Sequence, residues 1–165
     1  MPLTAYAAGW FLIAALPISF WVAWSDLRSM KIPNYAVYAL LGSYAVLGLI
    51  ALPFEQYLWH WTHAVVMLVV GMALWAARAM GAGDSKFIAA AAPMVAFADW
   101  QLMVLILSAT MLAGVAAHRI AKHTPIRSIV PDWESWGPQK AKKFPMGFPL
   151  GMSLVFYLGY VFFTR

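Results

Sequence analysis

Apolar residues fall into five runs along the chain, at 3–24, 35–54, 56–77, 87–117 and 144–164. A helix needs about 20 such residues to cross a hydrocarbon core of about 30 Å. The fourth run overshoots: as one helix it would be about 46 Å long. It would also hold Asp99 near its middle, where a charge is costly. A hairpin relieves both problems, with a short helix over 84–97, a turn at "ADWQ" (98–101) and a longer helix over 101–120. The pattern therefore predicts an all-α polytopic membrane protein. It forms one membrane-embedded domain with six transmembrane helices, at about 4–24, 35–53, 57–78, 84–97, 101–120 and 145–163.

Charge sets the orientation. With the N-terminus outside, the inner segments hold Arg28, Lys31, Arg78, Lys86, Arg119, Lys122, Arg127, Lys140, Lys142 and Lys143. Only Arg165 falls outside, as the positive-inside rule requires. A five-span arrangement would carry the basic loop to the far side. The formal charge of +5 is thus a topology signal, reinforced by anionic lipid head groups, and does not point to a nucleic-acid partner.

Composition agrees. The chain of 165 residues is 64% hydrophobic and 10% charged, with a mean hydropathy of +0.74; soluble domains carry about a quarter charged residues. There is no cysteine, which excludes disulfides, thiolate catalysis and cysteine-ligated metal. The first run has no Lys or Arg ahead of it, so it reads as a retained span and not as a signal peptide.

Against this background the acidic residues stand out. Asp26 closes the first span in "WVAWSDLRSMKIPN", and Asp84 follows the third in "GAGDSK". Two crossings separate them, so parity returns both to the inner end of the bundle. Glu55 and Asp99 fall on the outer side, and Asp132 and Glu134 lie in a loop. Two carboxylates in a low-dielectric site do not readily both ionise and come to share a proton. Such a pair hydrolyses peptides without a cofactor: one carboxylate takes a proton from water while the other donates to the carbonyl oxygen. Gly81 and Gly83 would let the backbone turn and a substrate strand approach. The same residues also fit a helix cap at Asp84, or a proton or cation site in a small transporter. Transporter sites, however, lie near the midplane.

"GAGDSK" resembles the G-x-G-D-x-K motif of the type IV prepilin peptidases, membrane aspartic proteases of the GxGD class. An aspartate ending the first span, then basic residues, then Ile32-Pro33-Asn34, is similar to the family's first motif. "FPMGFPLG" (144–151) is similar to its proline-glycine motif, with Pro149 one place late. The resemblance implies an endopeptidase that cuts the basic leader from a prepilin at the cytoplasmic face of the inner membrane. Asp26 and Asp84 are then catalytic, no cofactor or metal is used, and Gly81, Gly83, Lys86, Asn34, Pro145 and Gly147 are motif or substrate-binding positions. Without cysteines or an N-terminal domain ahead of the first span, the chain looks like the short, peptidase-only form of tight-adherence (Flp) pilus systems, with no methyltransferase activity expected.

The remaining residues are read from position. Lys86 would tune the pair, hold a substrate carbonyl or anchor the chain. Asn34, after Pro33, would cap the second span. Pro145 and Gly147 would set the entry of the last span. His60 and His63 stand near the outer face, away from the aspartates, and suggest no metal site. The segment 123–143 would be a surface loop or a lid.

Overall fold

The computed structural model describes residues 2–136 and 144–165; Lys140, Lys142 and Lys143 of the inner basic set lie outside them. Helices α1 (Ala5–Ser29), α2 (Asn34–Ala51), α3 (Phe54–Ala76), α4 (Ala82–Ala91), α5 (Trp100–Lys122), α6 (Ile126–Ile129) and α7 (Gly147–Thr164) make up the fold, with no strand among the described residues. Five helical stretches, α1, α2, α3, Phe97–Lys122 and α7, are long and apolar enough to cross a membrane. Apolar side chains such as Val65, Val69, Leu105 and Leu112 face outward along α3 and α5, as lipid-facing positions do.

The span expected fourth differs from the rest and is not among these five. Its helix starts at Ala82, earlier than expected, and stops at Ala91. Pro93, which lacks an N–H, sits in a 3₁₀ turn over Ala92–Met94. Val95 is extended, and a second 3₁₀ turn over Phe97–Asp99 leads into α5. Irregular backbone is tolerated at membrane depth only where protein surrounds it and its polar groups are paired. Both conditions hold. Phe87, Ala89, Ala90, Ala91, Met94 and Ala96 are buried. His60 Nδ1 donates to the Pro93 carbonyl at 2.8 Å, and His63 Nδ1 to that of Val95 at 3.0 Å. The two histidines therefore serve the backbone of the broken helix.

The centre of the bundle is the crossing of α1 with α7. Ser19 and Asp26 on α1 face Gly151 and Gly147, one helical turn apart on α7. A Cβ on Gly151 would lie 3.0 Å from the Ser19 carbonyl oxygen. Small residues spaced by four are what lets helix backbones approach in a membrane. At the end remote from Asp26, Arg165 grips Asp99 through two bonds of 2.7 and 2.8 Å. Tyr157 Oη also donates to Asp99, and Arg165 Nη1 donates to the Leu3 carbonyl. Both ends of the chain are tied together there.

Candidate active site

A cavity of about 950 Å³ opens at the other end, between the ends of α1 and α3, the loop leading into α4 and the approach to α7. Asp26 and Asp84 both line it. Parity along the sequence put these two aspartates at the same end, and both line this cavity, although local structure holds each one differently from what was expected.

Asp26 does not close α1, which runs on to Ser29 and ends where Met30 turns left-handed and donates its N–H to the Asp26 carbonyl at 2.8 Å. The side chain is only 5% exposed. Its Oδ2 accepts the backbone N–H of Gly147 at 2.6 Å, across 121 residues of sequence. Gly147 is the first residue of α7, which has no side-chain cap of its own, so Asp26 satisfies one of the orphan donors of that helix start. A short bond from an N–H to a carboxylate is among the stronger hydrogen bonds. The contact also explains the glycine: a Cβ there would lie 2.9 Å from Asp26 Cβ and 3.0 Å from Oδ2. Pro145, fully buried just ahead, sets the chain on this path.

Asp84 is not the cap of α4. Gly81 occupies that place, and Asp84 stands three residues on, in the first turn, with its carboxylate folded back against the Gly81 amide. A side chain at that position reaching back to the cap N–H is one half of a capping box. Gly81 is extended (φ −72°), so it is not a left-handed turn that requires glycine. Close approach does: a Cβ on Gly81 would lie 2.6 Å from Asp84 Oδ2, and one on Gly83 would lie 3.3 Å from Ile32. Ser85, next along, donates to the Gly71 carbonyl at 2.9 Å and pins α4 to α3.

Asn34 is a correction. Pro33 holds the cap position of α2, with no side-chain cap bond, and Asn34 Oδ1 instead accepts from Lys86 Nζ at 3.2 Å. The "IPN" and "GDSK" motifs are therefore joined directly, and Lys86 makes no ion pair with either aspartate. The segment 123–136 packs back on the bundle: Trp133 meets Trp24 at 5.2 Å, and Trp136 stacks on His118 at 4.8 Å. Sequence reasoning missed the Gly147–Asp26 bond. The signal available was Gly147 and Gly151 at a spacing of four. Among the described residues, no three His, Cys, Asp or Glu side chains are grouped to hold a metal ion.

The arrangement places two carboxylates from separate segments on one water-accessible cavity. A family model described as the type IV leader peptidase family matches residues 10–117, more than half of the chain and including both aspartates. No curated protein and no solved structure matches it.

Proposed function

Because the chain belongs to the type IV leader peptidase family, we propose that it removes the basic leader from type IV prepilins of the Flp kind, using Asp26 and Asp84 as the catalytic pair. The chain is a membrane-embedded peptidase of a family of aspartic type. The transporter reading is set aside with it.

The observation that carries the finer reading is the shared cavity. Asp26 on α1 and Asp84 on α4 line the same opening at one end of the bundle, and the basic residues Lys31 and Arg78 lie at that end. By the positive-inside rule this is the cytoplasmic end, and the N-terminus and Arg165 are outside. A prepilin whose hydrophobic helix lies in the membrane presents its leader at that level. The short α4, together with the turns that follow it to Asp99, then makes the remaining crossing, fourth along the chain.

Hydrolysis follows from a pair that holds one proton. The ionised carboxylate takes a proton from a water in the cavity, and the water oxygen bonds to the scissile carbonyl carbon. The protonated carboxyl gives its proton to the carbonyl oxygen, forming a tetrahedral diol. Collapse breaks the C–N bond, the amine leaves with a proton returned from the pair, and the leader departs with a new carboxylate. Gly147 holds Asp26 at Oδ2, leaving Oδ1 for the water or the substrate. Assignment of base and acid belongs to the pair and not to either residue. The new N-terminus is left unmethylated.

Co-expression with a type IV prepilin tests this. The expected product is a shortened pilin whose mass and N-terminal sequence place the cut after the basic leader, with no added methyl group. A pilin that keeps its leader in the presence of the inserted enzyme would contradict the reading.

A further inference from the structure

Helix α3 ends in a full Schellman motif: the Ala79 N–H bonds the Leu74 carbonyl and the Arg78 N–H bonds the Trp75 carbonyl, each at 2.9 Å. The residue that turns in this motif is left-handed, and glycine fills the place by default. Here it is Arg78, with φ 59°. Among the described residues the other non-glycine of positive φ is Met30 (φ 54°), at the end of α1. Both line the cavity that holds Asp26 and Asp84. Backbone strain of this kind clusters at ligand clamps and active sites, where the observed outlier is a reason to look for function.

Two cations face the same cavity, Arg78 and Lys31. Both side chains are exposed. Among the described residues, neither has a side-chain hydrogen bond or an ion pair, and neither pairs with Asp26 or Asp84. They are therefore not spent on neutralising the catalytic pair and are available to a third anion. We propose that Arg78 and Lys31 form a subsite for a carboxylate of the peptide substrate, and that arginine occupies a glycine position for that purpose. The inference rests on the peptidase reading of the cavity.

A basic leader by itself gives these cations nothing to hold. Two sources supply the carboxylate. Hydrolysis turns the scissile amide into a carboxylate that the two aspartates repel, and the cations are placed to receive it. An acidic side chain beside the cut would be held in the same way before cleavage.

Peptide binding to the purified full chain in detergent separates the cases and needs no turnover. The probes are a fluorescent basic leader peptide, as free acid and as amide, and a longer peptide spanning the cut, made with an acidic residue beside the cut or with the corresponding amide residue in its place. A charge-assisted contact is worth about tenfold in affinity, so the carboxylate form of one probe pair should bind about tenfold tighter. The leader pair identifies the product carboxylate and the spanning pair the side chain. Arg78→Gly should abolish that difference while raising the thermal midpoint, since it relieves the left-handed strain; Arg78→Lys should keep part of the difference. Equal binding of both forms in both pairs by the parent would overturn the subsite. So would an Arg78→Gly variant that discriminates as the parent does, or one that melts no higher. Failure to cleave a prepilin while discrimination persists would count against the peptidase reading alone.

Discussion

A single backbone amide decides how Asp26 is presented. The Gly147 N–H holds Oδ2 at 2.6 Å, and the missing side chain of Gly147 is what lets the carboxylate come so close. Gly147→Ala and Gly151→Ala make a matched pair of tests. Each forces a Cβ into a contact of about 3 Å, and overpacking of this kind costs about 1–3 kcal/mol. Thermal midpoints should fall in both. Prepilin cleavage by the folded protein should fall only in Gly147→Ala, because the Gly151 side of the seam meets Ser19 and leaves Asp26 in place. Equal losses of cleavage would mean that the α1–α7 seam matters as a whole and the amide does not. At this scale the sequence was half legible. Residue type and span parity singled out Asp26 and Asp84, but a bond between residues 121 positions apart leaves no periodic trace.

Among the elements, α2 and α4 are joined by Lys86 and Asn34 at 3.2 Å. The local rule for a polar residue after proline pointed to a cap at Asn34; the helix began one residue earlier than that rule assumed, and the amide was left free to meet Lys86. If the bond aligns the start of α4, which carries Asp84, with the loop that follows α1, Lys86→Met and Asn34→Ala should slow cleavage to similar extents. The double variant should be no slower than the worse single one, as expected for two partners in one contact. Additive losses, measured as cleavage rates at matched enzyme levels, would show that the residues act separately. The break after α4 was legible as a short helix from run length and from Asp99. Its two histidine supports were not, because a histidine donating to a carbonyl more than 30 residues away looks in sequence like any isolated polar residue in an apolar run.

For the whole molecule, charge and parity place the cavity lined by Asp26 and Asp84 at one end and the Asp99–Arg165 clamp at the other. Parity separates Asp99 from Asp26 and Asp84, and its partner Arg165 falls on the same side by charge counting; their bidentate pairing emerges only in three dimensions. The orientation itself is open to direct test, because the chain has no cysteine and any introduced one is unique. Glu55→Cys, exposed in the first turn of α3, should react with an impermeant maleimide added outside intact cells. Ser128→Cys, exposed after α5, should react only after the membrane is opened. The reverse pattern would invert the bundle and put the cavity on the wrong face for a cytoplasmic leader.

The most direct measurement of the central claim is prepilin processing by Asp26→Asn and Asp84→Asn beside the parent. Asparagine keeps an acceptor for the Gly147 amide and for the Gly81 amide, so both variants should insert and melt like the parent. Loss of either half of a general acid–base pair costs about 10²- to 10⁴-fold. If the claim holds, the parent releases the leader and each variant, equally well folded, falls by that factor. A variant that processes prepilin at the parental rate would contradict it.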